Sequence, residues 1–342
     1  MATEVLEAAP RAGTKRMIID GLTMPALERR WLEEWRAAGL GCVNNCIAVW
    51  ENASETLSLL TAWKRFLAEN SDLAEEANSV TDIERIAASG RTAVLFSFQN
   101  TAPVEHNLEL FGVYRSLGVT IMQLTYNLQN YIGCGYWEEK DAGVSSRFGS
   151  KAIEEMNNLG IMIDLSHCGE RTTLDAIEMS RKPVAITHAN PREYVGSPVY
   201  GARRLKTTEA IKALASRRGV IGLTPNRNMT KNGAATTLQE FGDMVAWSVD
   251  RFGIDTIAIG VDYCPGHPRQ IRTWWRYARW SRESAPAEQM KVSPHEGWSE
   301  WMTTQAGMHN IVAELDRRGF AAAEIDKIMG GNWLRIYRET IG

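Results

Sequence analysis

Apolar residues fall into eight short runs along this chain, and helical periodicity fills the stretches between them. The runs cover residues 17–20, 42–49, 93–98, 119–124, 161–165, 184–187, 220–223 and 256–260. Helices are predicted over 25–38, where Leu27, Trp31 and Trp35 form one stripe, and over 54–69, 81–89, 105–116, 148–158, 170–179, 207–217 and 238–252. The helix at 81–89 carries Thr81 as cap and Glu84 three residues on, the pattern of a capping box. Residues 127–146, rich in Asn, Gly and Tyr, read as a long loop.

Continuously apolar strands separated by helices indicate a parallel sheet covered on both faces. Eight of them predict an α/β fold of the (β/α)8 TIM-barrel type. The expected layout is one domain over residues 1–342: strand–helix units across 17–263, an insertion at 265–301 and C-terminal helices across 302–342. An open doubly wound sheet is the alternative, but no GxGxxG or Walker sequence follows the first strand.

Composition narrows the partners. A formal net charge of −3 gives no reason to expect nucleic acid or an anionic membrane surface. The five cysteines form no CxxC pair, so reduced thiols and a cytoplasmic protein are expected. The first sixteen residues lack an apolar stretch of signal-peptide length, and no run is long enough to span a bilayer.

Three ligand-type residues stand where predicted strands end: His167 in Asp164-Leu165-Ser166-His167, His188 in Ile186-Thr187-His188-Ala189-Asn190, and Asp262 in Gly260-Val261-Asp262-Tyr263. A barrel gathers such ends at one mouth. Neutral imidazole binds zinc and similar metals, a metal-bound water is a nucleophile near neutral pH, and a nearby carboxylate can carry its proton. One histidine alone would be read as a core or turn residue. Three such residues at three strand ends favour a site.

These segments resemble the membrane (renal) dipeptidase family. So do Leu124-Thr125-Tyr126-Asn127 and Gly330-Gly331-Asn332-Trp333-Leu334-Arg335, and the resemblance runs from Asp20-Gly21 to Arg335. It implies an amidohydrolase-type barrel that uses two zinc ions to hydrolyse dipeptides, often as a homodimer. By resemblance His167 and His188 match ligands of the second metal, and Asp262 matches the acidic residue of the catalytic centre. Arg203 matches the arginine that holds the substrate carboxylate, although Arg204 can be aligned instead.

The chain also departs from the family. Where the family has Asp-Gly-His-x-Asp, this sequence reads Asp20-Gly21-Leu22-Thr23-Met24, which removes both ligands of the first metal. Gln99 replaces the bridging glutamate, and a neutral amide cannot bridge two cations. Tyr126 replaces the active-site histidine and is expected to donate to a developing oxyanion. The expectation is therefore one divalent metal, zinc by its ligand chemistry, on His167 and His188, with a metal-free site as the alternative. Gln99 and Arg203 are expected to bind substrate.

In the insertion, Arg269, Arg272, Arg276 and Arg279 recur at helical spacing among Trp274, Trp275 and Trp280. That helix reads equally as a lid or dimer contact and as a solvated arginine face on a tryptophan base. The leading function is a metal-dependent hydrolase of an amide in a small carboxylated substrate, specialised relative to a general dipeptidase. The alternatives are a lyase, decarboxylase or isomerase on the same barrel, and a non-catalytic ligand-binding homologue.

Overall fold

The computed structural model describes residues 16–197, 201–277 and 298–342. Its strands are β1 Ile18–Thr23, β2 Leu40–Ala48, β3 Ala74–Glu76, β4 Thr92–Phe98, β5 Val119–Gln123, β6 Met162–Asp164, β7 Ala185–Ile186, β8 Val220–Leu223 and β9 Ile257–Ile259. All pairings are parallel, in the order β1-β2-β4-β5-β6-β7-β8-β9. The ends of that row meet just past the strands. Thr23 bridges Tyr263, and the Asp262 amide donates to the Leu22 carbonyl at 2.9 Å. From inside, Asp20 Oδ1 accepts from the amides of Val261 at 2.8 Å and Leu22 at 3.1 Å. The fold is the expected (β/α)8 barrel.

Several local expectations are corrected. β3 is an added strand that pairs with Thr92–Val94 of β4, below the point where β5 takes over at Phe96. Its three residues are too few to show a period. The first helix begins at Arg29, because Met24 and Ala26 donate their amides to Tyr263 and Pro265 and hold that stretch extended. Leu27 is left exposed, while Trp31, Leu32 and Trp35 are buried. The Thr81–Glu84 capping box does not form. The helix Val80–Ala88 starts one residue earlier, with Val80 buried and Ser79 as the cap accepting from the Asp82 amide. Glu84 pairs with Arg338 instead. The expected helix over 105–116 runs only Glu109–Ser116, after a break at Glu105, whose φ is 56°.

The barrel floor is apolar. Ile19, Cys42, Leu95, Ile121, Met162, Ala185, Val220 and Ala258 meet Trp333 and Tyr337 of the helix Asn332–Thr340. The Trp333 indole N–H donates to the Ile259 carbonyl at 2.9 Å. Above this floor the chain after β7 turns inward. The backbone donors of Thr187 and His188 go to side chains rather than to a strand: Thr187 N to Asp164 Oδ1 at 2.9 Å, and His188 N to Ser166 Oγ at 3.1 Å. Room for that turn comes from glycine on three other strands or strand ends. A Cβ on Gly21, Gly222 or Gly260 would lie 2.9, 2.1 or 1.8 Å from the Thr187 carbonyl oxygen.

This packing makes a prediction. Gly260→Ala should cost roughly 3 kcal/mol or more, the upper range for overpacking, because the obstructing atom is backbone and cannot rotate away. Urea unfolding measures it, and a cost within about 0.5 kcal/mol would refute the close approach.

Candidate active site

His167, His188 and Asp262 follow the C-terminal ends of β6, β7 and β9, and the two histidines meet there. The two rings face each other, with Nε2 atoms 3.0 Å apart. Each is aimed by a partner on its other nitrogen. His167 Nδ1 lies 2.8 Å from Asn127 Oδ1, and the Asn127 amide nitrogen is committed to the Arg276 carbonyl at 3.0 Å. His167 therefore donates through Nδ1 and turns an Nε2 lone pair into the site. His188 Nδ1 lies 2.9 Å from Thr187 Oγ1. Thr187 Oγ1 in turn lies 2.7 Å from Asp164 Oδ2, a carboxyl that burial pushes up. Asp164 also accepts from the Ser166 hydroxyl at 2.6 Å. Burial, followed by the Arg204 charge, holds both imidazoles well below their ordinary range, so both are neutral at pH 7.

Asp262 is half-buried, and the loss of solvent around it pushes its carboxyl up to about 7, with the Arg204 charge and an Asn226 hydrogen bond pulling the other way. Asn226 Nδ2 donates to its Oδ2 at 2.9 Å. Its backbone is left-handed, at φ 63°, and Asn127 is likewise at φ 57°. Both residues thus take up a sparsely populated backbone region, one that Asp and Asn enter more readily than most.

The two adjacent arginines separate. Both lie in the turn Ala202–Arg204, but only Arg204 is buried. Its Nη1 donates to the Ser166 carbonyl at 2.8 Å, and its Nη2 to the His188 carbonyl at 3.0 Å and to His167 Nε2 at 3.2 Å. Arg203 points outward, donates to the Glu138 carbonyl at 3.3 Å and lines a cavity of about 380 Å³ with Tyr136, Trp137, Gly201 and Ala202. The geometry thus puts Arg204, and not the expected Arg203, against the histidines.

Tyr126 stacks on His167, with ring centroids 4.0 Å apart and planes 22° off parallel. Gln99 is buried at the same end, and its Oε1 has no hydrogen-bond partner among the described residues. Leu22 and Met24 are neither polar nor exposed: they pack with Cys46, Val49 and Trp275. Trp275 belongs to the helix Arg269–Tyr277 of the expected insertion, which is fastened over the mouth by Trp50 Nε1 donating to the Trp275 carbonyl at 2.8 Å. Arg279 and Trp280 lie outside the described residues. Sequence reasoning passed over Asn127, Asp164, Ser166, Thr187 and Asn226. Their signal was present in the polar residues flanking each histidine and after β8.

A metal centre can be tested against these donors. The histidine pair supplies two nitrogens, whereas a catalytic zinc takes about three protein ligands. Among the described residues no group of three or more His, Cys, Asp or Glu side chains is placed to hold an ion. The apolar Leu22 and Met24 and the amide of Gln99 offer no first site. The donor set fits neither a two-metal centre nor a complete single one.

Comparison with known proteins agrees with this architecture. The profile of membrane dipeptidase (peptidase family M19) matches residues 32–279. Dipeptidase tcpJ of Claviceps purpurea is 24% identical over 290 residues, 84% of this chain, and the chain spans 60% of that protein's length. An amidohydrolase from Pseudomonas aeruginosa superposes with a TM-score of 0.86 at 30% identity, covering 96% of this chain and 97% of that one. The probable dipeptidase PvdM from Pseudomonas aeruginosa, at 18% identity, covers 96% of each chain with a TM-score of 0.76 and speaks for the fold alone. By the extent of the family match and of the 30% identical structure, this chain belongs to the membrane dipeptidase family, peptidase family M19, a family of metal-dependent hydrolases.

Proposed function

We propose that this chain hydrolyses an amide bond in a small substrate bearing a carboxylate, and that it is specialised rather than a general dipeptidase. The observation that carries this reading is a buried cation in want of an anion. Arg204 is 1% exposed, its hydrogen bonds go to two carbonyls and one imidazole, and its charge reaches the Asp262 carboxyl without a direct hydrogen bond among the described residues. A buried charge is retained at a cost of several kcal/mol unless something pairs with it, and a guanidinium has five N–H donors to offer. A substrate carboxylate answers that demand.

The remaining roles are assigned from the chemistry of each side chain. The Asp262 carboxylate takes a proton from water as its oxygen adds to the amide carbonyl carbon. Tyr126 donates to the carbonyl oxygen as it becomes an oxyanion. The C–N bond then breaks, and Asp262 returns its proton to the leaving nitrogen. A carboxyl balanced near pH 7 suits both halves of that cycle. Gln99 Oε1 is an acceptor for a substrate N–H. His167 and His188, held neutral and aimed by Asn127 and Thr187, form the wall on which Arg204 rests. The five free cysteines are in keeping with a reducing, cytoplasmic setting, and among the described residues no helix is long and apolar enough to cross a membrane.

The test is a panel of dipeptides, N-acyl amino acids and their carboxamide counterparts. Turnover should be confined to few members, should require the carboxylate and should be slow on ordinary dipeptides. Fast, broad dipeptide hydrolysis would overturn the specialised reading, and equal turnover of carboxamides would overturn the role of the carboxylate.

A further inference from the structure

One wall of the barrel mouth is apolar. Leu22, Met24, Cys46 and Val49 pack with Trp275, and all five are buried. Trp50, Tyr126 and Cys264 lie against this cluster and are only partly buried, so they carry its apolar surface toward the site. Their contacts fix where the wall begins. Tyr126 stacks on the face of the His167 ring, with centroids 4.0 Å apart, and meets the Trp50 ring edge-on at 6.0 Å. Cys264 Sγ lies 3.7 Å from the Asp262 carbonyl oxygen. Arg204 reaches His167 at the ring edge instead, through Nε2 at 3.2 Å. The contacts thus run from a cation to apolar surface: Arg204, His167, Tyr126, then the cluster. An ammonium at the far end of that row would be poorly served. Glu51, beside Trp50, spends its Oε2 on the amides of Val49 and Trp50 at 2.6 and 3.0 Å. Asp262 carries the proton of the reaction, and Gln99 Oε1 is neutral.

We propose that the substrate is an N-acyl amino acid whose acyl group is apolar: the amino-acid carboxylate rests on Arg204, the amide carbonyl lies by Tyr126 and Asp262, and the acyl chain lies on the wall of Leu22, Met24 and Trp50. This rests on the hydrolytic reading above and names the half of the substrate which that reading leaves open. Water adds to the amide carbonyl carbon and the C–N bond breaks. The products are an apolar carboxylic acid and the free amino acid, whose nitrogen takes the proton returned by Asp262. Leu22 and Met24 thus determine specificity. They offer apolar area to an aliphatic or aromatic acyl group, and a charged one would lose its hydration there without gaining a partner.

The experiment is a homologous series of N-acylglycines and N-acyl-D- and N-acyl-L-alanines, from acetyl to octanoyl, each paired with its counterpart bearing an α-amino group on the acyl chain. Turnover is measured on the wild type and binding by calorimetry on Asp262→Asn. Both kcat/KM and affinity should rise about fourfold per methylene until the wall is covered, the equivalent of about 0.8 kcal/mol for each methylene buried. The heat-capacity change of binding should grow more negative along the series. The α-amino counterparts should be weaker by roughly 100-fold or more, since their charge is desolvated without a partner. Met24→Gln, of matching length, should cost the octanoyl compounds about tenfold more than the acetyl ones. Leu22→Asn replaces it if that variant does not fold. Turnover of carboxylated amides that ignores acyl length, or that is equal for the α-amino compounds, would overturn this inference and leave the hydrolytic reading standing. So would a folded Met24→Gln or Leu22→Asn that weakens long and short chains alike. Affinity that grows with chain length while no member is cleaved would support the apolar wall and overturn the hydrolysis instead. Neither binding nor turnover across the series would overturn both.

Discussion

Asp262→Asn should lower turnover by roughly 10²- to 10⁴-fold and, at the same time, make the folded chain more stable above pH 7. The first effect follows because an amide cannot accept a proton from water. The second follows from the loss of solvent around the carboxyl. The folded protein keeps the Asp262 proton up to about pH 7, whereas the unfolded chain gives it up near its ordinary 3.8. Between those values the folded state binds more protons, so raising the pH disfavours it. Carrying one carboxyl from 3.8 to about 7 is worth on the order of 4 kcal/mol, and the cost is complete above pH 7. Asparagine avoids it, keeps an oxygen for Asn226 and tolerates the left-handed backbone at φ 63° better than most residues. The two proteins should converge in stability below pH 4. Asp20, also pushed to about 7 by burial, leaves a similar slope in both. Chemical denaturation at pH 4, 6 and 8, set beside the pH dependence of turnover, measures the pair of effects. A variant that loses activity but gains nothing at pH 8 would remove the case for a base whose proton the fold retains up to about pH 7.

Much of this site was legible in the chain because strand ends are. His167, His188 and Asp262 each close an apolar run, and a parallel barrel leaves such residues only one place to meet. The departures at Leu22, Met24 and Gln99 were equally plain. Their consequence was not: what covers Leu22 and Met24 is Trp275, some 250 residues away in the chain, and no local pattern pairs them. The choice between Arg203 and Arg204 was beyond sequence for a related reason. Neighbours in a tight turn point in different directions, and the phase of that turn is set by Lys206 N donating to Asn190 and Arg192 N to Lys206, contacts across a loop of no regular period. The capping error at Thr81 has a simpler origin. Three polar residues precede Ile83, and only the burial of Val80 decides which of them is the cap.

Substituting the two arginines in parallel should separate them by roughly one to three orders of magnitude. Arg204→Met removes a buried charge-assisted contact, worth roughly 2–5 kcal/mol when one partner is truncated, and should cut kcat/KM on the substrate found by the panel by about 30- to 5,000-fold. Arg203→Met touches an exposed side chain bonded to one carbonyl, and should change kcat/KM by less than about fivefold, the scale of a surface charge. Stability should move the other way from activity. Without substrate, Arg204 is a buried charge with no direct hydrogen bond to a carboxylate among the described residues, so exchanging it for a methionine of similar length should leave the melting temperature unchanged or raise it. That sign is the decisive part. A scaffold residue would lower stability and activity together, because its three hydrogen bonds would then be what holds the loops of His167 and His188. A residue kept for binding an anion loses function while the fold gains. Thermal unfolding of the two variants, with and without a substrate analogue that retains the carboxylate, reads both quantities. Only wild type and Arg203→Met should be stabilised by the analogue. Stabilisation of Arg204→Met to the same extent would show that the carboxylate is held elsewhere, with Arg203 and its aromatic cavity the next place to look.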